Sequence, residues 1–123
     1  MGIMSIDHLL MTPSPLGLDE SAEALAGIEP DCLLRTDDTD TMVVLVHQLE
    51  GQPLLWITPS RLITDWNEVT RLLPENSQPP SRHLVYWTEL HGPSSAPETA
   101  GRIARSLARI MDGWTIPFSG GQK

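Results

Sequence analysis

The sequence predicts an α+β fold: a mainly antiparallel sheet of about four strands, with two main helices packed on it and a short N-terminal helix. Three observations carry this. Met42-Val-Val-Leu-Val-His47 and Leu54-Leu55-Trp56-Ile57 are apolar strand runs joined by a tight turn. His83 to His91 alternates as a strand, while 64–73 and 97–112 carry apolar residues at helical spacing. A chain of 123 residues is a common size for one domain, so residues 1–123 are expected to form one unit around one core.

Element by element, residues 1–17 mix Met, Pro, Gly and Ser around a short apolar patch, Ile6 with Leu9-Leu10-Met11. Pro13 and Pro15 hold the chain extended there, and the segment reads as an arm, flexible or partly ordered. Asp19 is placed to cap a short helix through Ala26, with Glu20 and Glu23 near its positive end and Gly27 as its stop. Cys32-Leu33-Leu34 follows as a short strand. Thr36 to Asp40 then supplies side chains that turn a backbone by bonding to it. The run 42–47 is nearly continuous in apolar residues, the pattern of a central strand covered on both faces. Glu50-Gly51-Gln52 turns it into 54–57.

From Thr64 to Leu73 the residues Trp66, Val69, Leu72 and Leu73 fall on one side of a helix, and Pro74 ends it. Glu75 to Ser81, with its Pro-Pro pair, is expected to be a surface loop. The last helix starts at Pro97, where a missing N–H costs nothing. Its inner stripe is Ala100, Ile103, Ala104, Leu107, Ile110 and Met111. Gly113 is expected as the left-handed stop, with Trp114 folding back over the last apolar turn.

Charge narrows the function classes. The net charge is −8, and residues 1–50 hold ten carboxylates against Arg35 alone, while 51–123 hold six against seven basic side chains. Such a field repels phosphates over most of the molecule, so nucleic acid is not an expected partner and a cationic partner is favoured. A single cysteine, Cys32, excludes an internal disulfide and any Cys-based zinc site. No apolar run reaches a membrane span and no signal-peptide order opens the chain, so a cytoplasmic, reducing location is expected. The preponderance of Arg over Lys, with many Ala, Pro and Gly, suggests a GC-rich bacterial genome.

The chemistry-bearing residues are few. Alternation puts Glu89 and His91 side by side on one strand face, where a carboxylate can fix the imidazole tautomer for acid–base or hydrolytic work or for a metal site. No second motif supplies a nucleophile or further ligands, and a polar strand end looks the same. Catalytic residues are therefore not assigned, Glu89 and His91 being the candidates if there are any. His47 reads as a core residue. Asp37, Asp38 and Asp40 fail the calcium-loop pattern, since Val43 and Leu49 stand at its glycine and glutamate positions. Ser94-Ser95 lacks the glycines of a phosphate cradle. No cofactor and no metal are expected.

Arg102, Arg105 and Arg109 form a basic line on the outer face of the last helix, where a solvated surface would also place cations. Forked guanidiniums at this spacing would also suit an acidic protein segment or a phosphate. Four tryptophans stand against one Phe and one Tyr. Trp56 and Trp87, on strands, are the two that could meet a partner, although core packing explains them as well. Arg102, Arg105, Arg109, Trp56 and Trp87 are thus the candidate partner-binding residues. The expected function is a small acidic protein-binding accessory protein of chaperone, adaptor or immunity type, its partner another protein or a second copy in a homodimer. The alternative is a small hydrolase or metal-dependent enzyme using Glu89 and His91.

The order Arg71-Leu72-Leu73, a Pro-rich loop, Val85-Tyr86-Trp87-Thr88-Glu89, then Gly101 to Arg109 and Gly113-Trp114 resembles small actinobacterial domains of unknown function, some of which accompany type VII secretion loci. The resemblance covers about the last fifty residues and implies no catalytic residues.

Overall fold

The computed structural model describes residues 5–17, 19–23, 32–36, 43–47, 53–73, 78–93 and 97–117. It is α+β and centres on one open antiparallel sheet. In chain order the strands are β1 (Ser5–Thr12), β2 (Cys32–Thr36), β3 (Val43–His47), β4 (Pro53–Ile57), β5 (Arg61–Leu62), β6 (Tyr86–Pro93) and β7 (Trp114–Pro117). The helices are α1 (residues 19–23), α2 (Trp66–Leu72) and α3 (Pro97–Met111). Across the sheet the order is β2-β3-β4-β6-β1-β7, with β5 continuing along the same side of β6 as β4. Among the described residues the sheet therefore has seven strands rather than about four.

The largest correction concerns the expected arm. Ser5–Thr12 is an interior strand, paired over its whole length with β6 and on its other side with β7. It lacks polar alternation because both faces are covered. Leu10 packs in one core cluster with Leu55, Ile57, Leu90 and the inner stripe of α3; Leu9 and Met11 pack in a second with Val69, Leu73, Leu84 and Trp87. Helix α3 thus lies on one face of the sheet and α2 on the other. A strand buried on both sides reads as an unpatterned apolar run.

The β3–β4 hairpin forms as expected, with a shift in register between Leu45 and Val46. The turn 50–52, the acids Asp37, Asp38 and Asp40, and Ser94-Ser95 lie outside the described residues, as do 75–77 of the expected loop. In α1 the cap is not Asp19, which is already helical. Gly17 holds that position: its carbonyl accepts from Ser21 N–H, and its own N–H donates to Glu20 Oε1 at 3.0 Å, the reciprocal half of a capping box.

Helix α2 is seven residues long and capped by Asp65, whose carboxylate accepts the Asn67 N–H at 3.0 Å. Val69 and Leu73 are buried as expected, but Leu72 is 47% exposed. The helix ends at Leu72. Leu73 is already extended (φ −87°, ψ 150°), as the residue before a proline is obliged to be, and so turns inward while Leu72 stays out.

At the end of α3 the left-handed residue is Asp112 (φ 58°), not Gly113. The Gly113 N–H donates to the Ala108 carbonyl at 2.7 Å, which closes a Schellman-type cap one residue earlier than expected. Trp114 does not fold over α3. It opens β7 opposite Met11 and packs in the cluster on the α2 side. Strand β6 also departs from expectation. It begins at Tyr86 rather than His83 and runs past His91 through Gly92-Pro93. Leu84 precedes it, so alternation does not bind Leu84, which packs beside Trp87. Among the described residues no helix is long and apolar enough to cross a membrane.

Candidate functional site

The face of β6 that carries Trp87, Glu89 and His91 is the side on which α2 packs, and it collects most of the polar chemistry in the described structure. Glu89 stands at its centre. The Trp87 indole Nε1–H donates to Glu89 Oε2 at 2.8 Å, and His91 Nε2 lies 3.1 Å from Oε1. A carboxylate can only accept, so the shared proton sits on Nε2. Arg61 Nη2 approaches Oε2 to 3.8 Å, but its side chain is 73% exposed and such a pair contributes little. Trp56 is directly opposite His91 in the β4–β6 register, hence on the same face, and is half-buried.

Arg61 reaches this face because of an irregularity in the neighbouring strand. Ile57 pairs with Leu90 and Arg61 with Trp87, so the three residues Thr58-Pro59-Ser60 stand against only Thr88 and Glu89. One residue is extra, and the run is bulged. The bulge is held by specific bonds. Thr58 N–H donates to the Glu89 carbonyl, while the Glu89 N–H donates to the Thr58 hydroxyl, each at 2.9 Å. On the other face the Ser60 and Thr88 hydroxyls share a hydrogen bond of 2.7 Å, and Ser60 Oγ also accepts the Leu16 N–H. Pro59, with no N–H to leave unpaired, suits the point where the ladder is broken.

Beside Glu89, between β5 and α2, lies an open cleft of about 270 Å³. Buried Val69 and Trp87 form its floor with half-buried Ile63, and exposed Leu62 and Leu72 line its mouth. Arg61 stands on the β5 wall, Asp65 and Glu68 on the α2 wall. Glu68 also pairs with Arg71 one turn on, and the Arg82 guanidinium lies over the Trp66 ring, 5.2 Å from its centroid. Ligand pockets run to roughly 300–1,000 Å³, so this cleft is on the scale of one large side chain.

The sequence-derived candidates separate into two groups. Glu89, His91, Trp56 and Trp87 come together on the α2 side of the sheet. Trp87 is 5% exposed and serves as cleft floor rather than outer surface. Arg102, Arg105 and Arg109 are exposed on the outer face of α3, across the sheet from that group. Gly101 sits beneath this line: a Cβ there would stand 3.2 Å from Arg105 Nη1 and 3.3 Å from Nε2 of the buried His8. Arg61, Asp65, Glu68 and Leu72 were not singled out by sequence reasoning. The Pro59-Ser60 interruption is the one signal that could have pointed to Arg61, and only with the β6 pairing known.

Chemically, the Glu89 group is closed on itself. Both carboxylate oxygens already receive internal donors, which suits an orienting and stabilising role better than proton transfer to a substrate. Among the described residues no group of three or more His, Cys, Asp or Glu is arranged to hold a metal ion. No family model, curated protein or solved structure matches the chain.

Proposed function

We propose that this chain is a small protein-binding accessory protein, of the chaperone, adaptor or immunity type, that works by holding another protein rather than by transforming a substrate. The observation that carries the reading is the cleft between β5 and α2: an apolar floor, an exposed leucine at its lip and charges on both walls, sized for a side chain of a partner. Interfaces commonly centre on such an apolar pocket with a charged rim. The arginine line on α3 offers a second surface for an acidic segment. A cytoplasmic place of work and a genomic setting beside secretion loci belong to the same proposal.

The test is site-specific photo-crosslinking in the cells that produce the protein. A photoreactive residue at position 72 should give a discrete protein adduct that the same probe at exposed Gln78 does not give. Absence of any adduct at 72, and at 105 on α3, sinks the reading.

The enzyme alternative draws on one observation, the 3.1 Å contact of His91 with Glu89. It requires that His91→Ala abolish a hydrolytic activity or a stoichiometric metal content of the purified protein. Neither quantity changes if the pair is structural.

A further inference from the structure

The walls of the β5–α2 cleft carry opposite charges, and this restricts what can enter. Arg61 projects on the β5 side with nearly three quarters of its side chain exposed. Asp65 and Glu68 line the α2 side, and Glu68 is 53% exposed. A cationic peptide lying in the cleft meets Arg61, and an anionic one meets Asp65 and Glu68. Either sign is opposed on one wall. A partner that brings both signs in the right order is satisfied on both.

We infer that the occupant is a second copy of this chain, docked about a two-fold axis through the cleft; this rests on the protein-binding reading above and names its partner. In a two-fold interface the same patch meets itself, so it must be its own complement. This patch is. Arg61 of one protomer faces Asp65 and Glu68 of the partner subunit, and the arrangement repeats in reverse. Leu72, 47% exposed at the lip, supplies the apolar side chain that the neighbouring cleft has room for, over a floor of Val69 and Trp87. Pairing through this side leaves α3 on the far face of the sheet of each protomer. Arg102, Arg105 and Arg109 then remain outward in the dimer.

The overall charge gives the pairing a signature. Two chains of −8 each repel at long range, and at about 0.15 M salt the Debye length of about 8 Å removes most of that repulsion while contact pairs persist. Self-association therefore strengthens when salt is raised from low to physiological. A cationic peptide drawn in by the net charge shows the opposite trend.

Sedimentation equilibrium of the full chain over a wide concentration range tests this. The wild type is expected to dimerise, and Leu72→Asp to weaken the dimer at least about tenfold. Arg61→Glu and Glu68→Arg should each weaken it, and the double variant should recover most of the loss, because the two-fold arrangement pairs the two positions with each other. Arg105→Glu on α3 should leave the constant unchanged. Circular dichroism melts establish that each variant is folded; Leu72, Arg61 and Glu68 are exposed enough for that to hold. The inference is overturned by a monomer at every concentration, by a dimer indifferent to Leu72→Asp, or by a double variant no better than the singles. A monomer whose position-72 probe crosslinks to a different protein overturns this inference and keeps the protein-binding reading; a monomer with no adduct at 72 or 105 overturns both.

Discussion

Two adjacent residues at the end of α3 should respond to substitution with opposite signs. A Cβ added at Gly113 would stand 2.5 Å from the Met11 carbonyl oxygen and 2.9 Å from Thr12 Cγ2. Ordinary contact needs about 3.5 Å, so the helix end and β1 would have to part by about 1 Å. Met11 and Thr12 are fully buried in an interior strand, and the closest obstacle is backbone, which no rotamer change relieves. Overpacking of this kind costs about 1–3 kcal/mol, and an unyielding neighbour puts Gly113→Ala at the upper end. Asp112 is the reverse case. Its φ of 58° is a strain that glycine does not feel, amounting to about 1 kcal/mol, and its carboxylate stands at the negative end of the α3 dipole. Part of the gain is offset by the freer unfolded chain, leaving Asp112→Gly about 0.5–1 kcal/mol more stable than the parent. Urea unfolding followed by tryptophan fluorescence, with the slope checked for constancy, measures both. A neutral Gly113→Ala would refute the close approach of β1 to residue 113, and a destabilised Asp112→Gly would refute the strain at residue 112.

Asp65→Ala removes the acceptor of the Asn67 N–H and should cost about 1 kcal/mol. Because α2 has only seven residues, hydrogen exchange should quicken through α2 and leave α3 protected. Glu89→Ala takes the carboxylate from a buried indole and from His91, at about 1–3 kcal/mol, and should move the Trp87 indole proton resonance. Glu89→Gln keeps an acceptor oxygen and should lose less; equal stability of both variants with the parent would show that Glu89 does not hold this face together.

What the sequence disclosed and what it hid follow from how local each feature is. The β3–β4 hairpin and α3 were legible because their patterns are complete within about fifteen residues. Glu89 and His91 could be placed together because alternation within one strand decides it. Strand β1 was hidden by its own burial: His8 and Leu10 face one side, Leu9 and Met11 the other, and its polar residues follow no period of two. Its partners are roughly eighty to a hundred residues away in β6 and β7, and nothing in Trp114-Thr-Ile-Pro117 alone announces a strand. Leu72 was misplaced because the helix ends with it and the extended Leu73 takes the inward position instead. The left-handed residue was misplaced because glycine is the usual occupant, whereas Gly113 is there for the close approach of β1.

The placement of the cleft charges follows from the single extra residue at 58–60. Were the β4–β5 run regular beyond the Ile57–Leu90 pair, Ser60 would stand opposite Trp87 and Arg61 opposite Tyr86. Arg61 would then share the side of the sheet packed by α3, and Leu62 would lie on the α2 side, facing the floor that Val69 and Trp87 form. The bulge exchanges them. It brings the guanidinium beside Glu89 and onto the cleft wall, and sets Leu62 opposite Tyr86, where it borders the cleft and is 57% exposed. A charge is thereby added to the cleft rim beside the exposed leucine. The polar ties that fix the bulge, Thr58 with Glu89 and Ser60 with Thr88 and Leu16, cost the chain a regular ladder and set which side chains a partner meets. Bulges that re-aim a side chain in this way recur at binding and active sites.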